Sequence, residues 1–531
     1  MESEAITNMN STKKQNRKGF TIIELIVVVV IIGILAAITI VSYNGIQAKA
    51  RDASVLSDID TMDALQTNFS LKNGLAGKAY YSGSGADATL GFTPSNGNVI
   101  DVVTNGTDYC IRGYNPSSTK NSIYNSFTKE SSVGICSTLG PSSAAIADSG
   151  TINKWTQLSA GNGYTCAVAL DNQAYCWGDN SNGKLGNNST VGSLVPVAVN
   201  TSGVLSGKSI KSIAAGPNHT CAIASDNQVY CWGPNDWGQL GNSTTTRSLV
   251  PVAVNTSGVL SGKSIKSIAV GWNFTCAIAS DNQAYCWGWG NRGELGNGSA
   301  TSNSVPVAVT NTGVLSGKTI KAIAAYNNTC VIASDNQVYC WGYNATGGLG
   351  NGSTTDSSVP VAVIKSGVLS GKTINSIDVG GASCAIASDS QAYCWGYGVD
   401  GELGNGSITS SSVPVAVTNT GVLSSKTISL MSSLGGFTCA IASNSQAYCW
   451  GYGVDGELGN GSTTSSSVPV AVNNSGVMSG KLLQSITVGQ NHACATSLDG
   501  QFYCWGSGTN GELGNGLITS SLTPIVMRSA P

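Results

Sequence analysis

Charge is what this sequence has least of. Only 10% of its 531 residues are Asp, Glu, Lys or Arg, against roughly 25% in an average soluble domain, and the formal net charge is −2. This disfavours a nucleic-acid binder, which needs clustered Lys and Arg facing phosphate. Histidine is rarer still: only His219 and His492 occur, too few for a triad or for zinc sites with histidine partners. A nucleophile elbow and a Gly-Lys-Ser/Thr phosphate loop are also missing, so no enzymatic activity, cofactor or metal is expected. Glycine (67 residues), Ser, Thr and Asn fill the space and make neutral, turn-rich surfaces. An apolar content of 41% suffices for a packed core, and 531 residues allow two or three domains. Sixteen cysteines, an even number in regular pairs, suit an oxidising compartment, so the chain reads as exported.

Long apolar runs are confined to one place. A polar leader with Lys13, Lys14, Arg17 and Lys18 precedes FTIIELIVVVVIIGILAAITIV, Phe20 to Val41. About 22 residues at 1.5 Å rise reach about 33 Å, enough to cross a bilayer core. The basic leader stays cytoplasmic and sends the rest outward. Glu24 interrupts the run, and a lone carboxylate in hydrocarbon needs a partner. KGFTIIELIVVVVIIGILAAI resembles the prepilin signal of type IV pilins: a basic leader, Gly19, then Phe20, and Glu24 fifth after the cut. The resemblance implies cleavage after Gly19 by a prepilin peptidase and N-methylation of Phe20. It also implies that Glu24 pairs with the terminal amine of a neighbouring pilin subunit during assembly. A plain signal anchor with a stray Glu is the alternative.

Val55, Ile59, Met62, Leu65 and Phe69 continue the helical spacing, which predicts one helix to about residue 72. VIDVVT (99–104) and YCIRGY (109–114), between turn residues, predict short strands. The region 73–136 is thus expected to be a small pilin-like α+β head, in which the resemblance implies a disulfide between Cys110 and Cys136. STLGPSSAAIADSGT (137–151) has linker composition.

From Trp155 onward a unit recurs seven times, CAIASDNQVYCWG followed by GQLGN or GELGN. Its cysteine pairs are Cys166/Cys176, Cys221/Cys231, Cys276/Cys286, Cys330/Cys340, Cys384/Cys394, Cys439/Cys449 and Cys494/Cys504. Runs such as KSIKSIAA, TCAIA, QVYCWG and VPVAV predict about four strands per repeat, hence an all-β seven-bladed propeller over 154–531. A three-residue turn, Ser-Asp-Asn in three repeats, joins CAIA to QVYC; its last position wants φ > 0, supplied by Asn or Gly except at Ser390 and Ser445. That hairpin sets each Cys opposite the one ten residues on, which favours disulfides over zinc. WTQLSAG (155–161) aligns with IKSIAAG and TPIVM (523–527) with VPVAV, and the terminal strands are expected to share a blade and lock the ring.

GPNHTCAIASDNQVYCWGPNDWGQLGN (216–242) resembles the repeat of the regulator of chromosome condensation family, whose propellers carry a Trp-Gly and a Gly-Gln-Leu-Gly motif per blade. The cysteine pairs and the missing basic tail depart from the nuclear members, and argue against GTPase exchange and chromatin binding. A similar fold serves in secreted bacterial inhibitors of β-lactamase.

The Trp of each CWG reads as core between blades, and the repeated GELGNG segments as turns rather than phosphate cradles. Asp400/Glu402 and Asp455/Glu457 lack the spacing of a calcium loop, and sequons such as Asn297-Gly-Ser299 read as turn chemistry. Aromatics at variable positions are the candidate partner-binding residues: Trp237, Trp272, Phe274, Trp289, Tyr326, Tyr343, Tyr397 and Tyr452. They form either a patch for an extracellular protein or glycan, or padding of the blade tips. The expected protein is a pilus or pseudopilus subunit. It is held in the cytoplasmic membrane before assembly, then displays an extracellular propeller for adhesion. The alternative is an anchored propeller that binds or inhibits another protein.

Overall fold

The computed structural model describes residues 155–528 and, before them, four short strands at 83–84, 99–104, 109–114 and 124–127. The chain divides into two compact units, Met1–Ile152 and Asn153–Pro531. In the first, β1 (Gly83–Ser84), β2 (Val99–Thr104), β3 (Tyr109–Tyr114) and β4 (Tyr124–Phe127) pair antiparallel in chain order. Cys110 lies in β3, opposite Phe127. Gly19, Phe20, Glu24, Cys136, the helix over 20–72 and the linker fall outside the described residues, and with Cys136 the expected bond to Cys110. Among the described residues no helix is long and apolar enough to cross a membrane.

The second unit is a ring of seven four-stranded antiparallel sheets. Blades 1 to 7 occupy 155–198, 210–253, 265–308, 320–362, 374–416, 428–471 and 483–526. First strands of neighbouring blades pack together around the axis, and those of blades 7 and 1 complete the circle.

Each blade grows from its second–third hairpin. In blade 2 the Asn227 amide donates to the Ala224 carbonyl (2.9 Å), and Asn227 has φ +60°. Ser390 and Ser445 take the same conformation (φ +59° and +57°) without a glycine. Asp226 explains the middle position, since Oδ1 accepts the Gln228 amide (3.0 Å) and Oδ2 the Tyr230 hydroxyl (2.6 Å).

The hairpin register sets each repeat cysteine directly opposite its partner. The resulting disulfides are Cys166–Cys176, Cys221–Cys231, Cys276–Cys286, Cys330–Cys340, Cys384–Cys394, Cys439–Cys449 and Cys494–Cys504, with Cα atoms 4.0–4.1 Å apart. Every one of these cysteines is fully buried.

The core lies between blades. At the first interface Trp232 packs with Leu185, Cys166 and Cys176 of blade 1, and equivalent clusters fill the other interfaces. The repeat spacing did not foretell a single 3-10 turn before blades 4 to 7, at Gly313–Leu315, Gly367–Leu369, Gly421–Leu423 and Gly476–Met478. It seats Leu315, Leu369, Leu423 or Met478 in the core.

The expected sharing of a blade by the two ends is corrected by the sheets themselves. Blades 1 and 7 each take all four strands from their own repeat, so neither has a strand to lend. Side chains and loop amides close the ring instead. Trp155 meets Phe502 edge-on at 6.3 Å, the Gln490 amide donates to Gly161 O (3.0 Å), and the Trp177 indole donates to Glu512 O (2.9 Å).

That last bond belongs to a repeated set. The indole Nε1 of Trp232, Trp287, Trp341, Trp395, Trp450 and Trp505 donates to the carbonyl of Lys184, Gln239, Glu294, Gly348, Glu402 and Glu457 respectively, at 2.8–3.0 Å. The acceptor is always the second residue of the preceding blade's Gly-x-Leu-Gly. The leucine is fully buried. The final glycine sits at φ +62° to +68°, where an added Cβ would lie 2.6–2.8 Å from the indole nitrogen.

Two glycine substitutions separate conformation from crowding. Gly262 (φ +70°) has nothing within 4 Å of an added Cβ, whereas Gly241 (φ +68°) would meet Trp287 Nε1 at 2.6 Å. Gly262→Ala is expected to cost about 1–2 kcal/mol, the left-handed penalty alone. Gly241→Ala is expected to cost a further ~1–3 kcal/mol of overpacking, read from denaturant midpoints.

Candidate functional site

Antiparallel strand order puts the first–second and third–fourth connections of every blade at one end of the ring and the hairpins at the other. All eight candidate aromatics lie in or beside the connections of the first end. Five of them, Trp272, Phe274, Trp289, Tyr326 and Tyr343, line one cavity of about 290 Å³ between blades 3 and 4. Trp237 stands next to it, its ring edge-on to Trp289 at 4.1 Å and 84°. Tyr397 and Tyr452, partly exposed, follow CWG in blades 5 and 6 and are not part of this cavity.

The cavity is held by loop backbone. The Trp272 amide donates to Tyr326 O (2.8 Å) and the Trp289 amide to Asn273 O (2.9 Å), while Asn218 Nδ2 donates to Asn273 Oδ1 (2.9 Å). Phe274 is fully buried, whereas Trp272 and Trp289 are partly exposed. Trp272 meets Tyr326 at 5.5 Å and 66°.

Tyr326 stands where five other blades have Gly161, Gly216, Gly271, Gly380 and Gly489, and where blade 6 has Leu434. It reaches across the axis, and its hydroxyl donates to Gln490 Oε1 of blade 7 at 3.0 Å. Burial pushes its phenol up to about 12, against the Gln490 bond, which draws it down.

Four further lining residues were not singled out from sequence: Asn273, Arg292, Glu294 and Asn327. Arg292 lies 4.8 Å over the Tyr343 ring and 3.7 Å from Asp356 Oδ2. Glu294 is buried, and its Oε2 accepts the Arg292 amide at 2.9 Å. Burial raises its carboxyl above the ordinary range, opposed by backbone amides and the Trp289 side chain. The segment WGWGNRGELGNG, unlike its six counterparts, was the available signal.

The remaining candidates are structural. The repeat cysteines, among them the third-strand members Cys176, Cys231, Cys286, Cys340, Cys394, Cys449 and Cys504, are all held in disulfides, and none lines the cavity. They shape the hairpins and, being fully buried, touch no ligand. Glu402 and Glu457 turn inward and accept the amides of Asp400 (2.9 Å) and Asp455 (2.8 Å). Among the described residues no group of three or more His, Cys, Asp or Glu is placed to hold a metal ion. Asn297 Oδ1 accepts the Ser299 amide (3.1 Å), an Asx turn. His219 and His492 are buried and bond Thr275 and Thr165 of the next blade at 2.7 Å. Desolvation lowers both imidazoles to about 3, so they are neutral.

The RCC1-like domain model matches residues 76–481, and the regulator of chromosome condensation (RCC1) repeat matches 484–512. The chain belongs to the RCC1-like domain family. The prokaryotic N-terminal methylation motif matches residues 14–40. Among relatives of this RCC1-like chain, the ultraviolet-B receptor UVR8 of Arabidopsis thaliana is 30% identical over 362 residues, covering 68% of this chain and 78% of UVR8. The E3 ubiquitin-protein ligase HERC2 of Homo sapiens is 28% identical over 351 residues, 65% of this chain but 7% of HERC2. Prp20p from Saccharomyces cerevisiae shares the fold at TM-score 0.58 and 19% identity, covering 71% of this chain and 88% of Prp20p. Human WBSCR16 does so at 0.56 and 19%, covering 65% and 88%.

The buried acids make stability depend on pH in a defined direction. Burial first, and then the charges of Asp400 and Asp455 respectively, raise Glu402 and Glu457 from 4.5 to about 7, against amide bonds that lower them. Between about 4.5 and 7 the folded protein therefore holds more protons on these groups than the unfolded chain, and their contribution falls as pH rises through that window. The histidines act oppositely, losing stability as pH falls from about 6.5 toward 3. Glu402→Gln/Glu457→Gln is expected to raise the melting temperature at pH 8 by several degrees and to leave it nearly unchanged at pH 4.5, measured by calorimetry.

Proposed function

We propose that this protein is a type IV pilin-like surface subunit, of a pilus or pseudopilus, that presents an RCC1-like propeller outside the cell to bind an external partner in adhesion. In this reading residues 1–19 are the leader, 20–72 the membrane and assembly helix, 73–136 a pilin-like head and 137–153 a linker. The methylation motif at 14–40 supports processing at Gly19 and Phe20 and pairing through Glu24. Seven buried disulfides support an oxidising exterior.

The observation that carries the binding role is the aromatic cavity between blades 3 and 4. Partly open tryptophans in a rigid concavity with a few polar groups make a recognition surface. A partner-binding propeller for which the pilin-like segment serves only as an export anchor is the second reading. It is favoured by Prp20p, which has binding properties to Gsp1p and histones.

Mass spectrometry of the mature protein is expected to find N-methylated Phe20 as its first residue; an intact Met1 refutes the pilin reading. Cells expressing a chain truncated before Trp155 are expected to retain filaments but lose attachment. Attachment equal to that of the full chain refutes adhesion through the propeller.

A further inference from the structure

Features common to all blades are explained by the fold. The departures from the repeat gather in one place. Arg292 stands where the other blades have Asn182, Trp237, Thr346, Asp400, Asp455 and Asn510, and Tyr326 replaces a glycine found in five of the other six. With Trp272 and Trp289 they line the same cavity. None of them takes part in the repeated indole-to-carbonyl bonds that build the ring.

The geometry of the walls limits what fits. Trp272 and Tyr326 meet at 66° and Trp237 and Trp289 at 84°, so the rings form a cage of steeply inclined planes. A sugar ring stacks on one extended plane, whereas a compact cation is stabilised by aromatic faces turned toward it from several directions. The charges agree. Arg292 is paired with Asp356 at 3.7 Å, and Glu294 places a further carboxyl group on the cavity wall, held by the Arg292 backbone amide, which suits a cation. Tyr343 already carries the Arg292 guanidinium over its ring at 4.8 Å. With 53% of the Arg292 side chain exposed at the rim, its outer N–H groups are free to take an oxyanion in charge-assisted bonds.

We propose that this cavity binds a phosphocholine-type group: the quaternary ammonium sits among Trp272, Trp289, Tyr326 and Tyr343 beside Glu294, and its phosphate bonds Arg292. The proposal rests on the reading that this end of the ring is the binding face. At about 290 Å³ the cavity is at the small end of ligand sites, which run from about 300 to 1,000 Å³, in keeping with a headgroup rather than a chain of sugars.

The test is calorimetric titration of the full-length protein in a maltoside detergent with phosphocholine, choline, phosphoethanolamine and the uncharged choline isostere 3,3-dimethylbutanol. Phosphocholine is expected to bind tightest, choline several-fold more weakly, phosphoethanolamine at least ~10-fold more weakly, and the isostere not measurably. Trp289→Ala is expected to weaken both choline compounds at least ~10-fold. Arg292→Ala is expected to bring phosphocholine down to the level of choline and leave choline unchanged. Both side chains are partly exposed, and unchanged near-ultraviolet circular dichroism checks the fold.

An isostere that binds as well as choline, or no binding by either choline compound, overturns the proposal. Binding of phosphatidylcholine bicelles as well as free phosphocholine supports it with a lipid source; binding of the free compound alone supports it with a soluble or polymer-linked one. If choline compounds fail while Trp289→Ala still abolishes attachment of cells, the binding face stands and only its ligand is wrong.

Discussion

The ring depends on one contact repeated at every interface: a buried tryptophan indole donating to a backbone carbonyl of the preceding blade. The indole needs a partner because an unpaired buried N–H costs about 1–3 kcal/mol. The carbonyl is presented in Gly-x-Leu-Gly because the leucine anchors the loop in the core and only glycine can follow it so close to the tryptophan. Wide spacing in sequence thus becomes adjacency. Each bond spans 47 or 48 residues within the ring, and the bond from Trp177 to Glu512 spans 335 and closes it.

Because the structural work at x is done by its carbonyl, the side chain at x is free to vary. The seven residues there are Lys184, Gln239, Glu294, Gly348, Glu402, Glu457 and Glu512. Four buried glutamates raise the pH sensitivity of the ring without weakening its contacts, and one of them, Glu294, is on the wall of the aromatic cavity. The scaffold therefore separates what must repeat from what can specialise. Backbone positions fix the ring, and side chains of the connecting loops are left free to vary.

The same separation accounts for what was legible in sequence. Blade number, the hairpin turn and its positive φ, and the cysteine pairing follow from local rules applied seven times, so repetition corrected any single ambiguous residue. Closure did not follow, because it is set by which strand edges remain unpaired, and VPVAV-like runs look alike whether they complete their own blade or another. The eight aromatics could be placed on one end of the ring by loop position. Their grouping into one cavity required knowing that Trp272 and Tyr326 face each other across an interface. Arg292 and Glu294 were passed over because a motif that recurs invites reading as a turn, and the chemistry lay in the one copy that differs.

The scarcity of charge noted first has a consequence at this site. Most ion pairs of the ring are exposed or half-exposed and on the hairpin side, such as Lys208 with Asp226 and Lys263 with Asp281, where each is worth little. With no strong field to steer a ligand from a distance, recognition falls to short-range contacts that act only once the ligand is inside. Aromatic faces and a single desolvated carboxylate are suited to that task, since their attraction grows as water leaves. A rigid ring keeps them in place without the ordering cost that a flexible loop would impose on each encounter. The disulfides Cys276–Cys286 and Cys330–Cys340 tie together the second and third strands of the two blades whose loops line the cavity, and so make the scaffold beside it stiff.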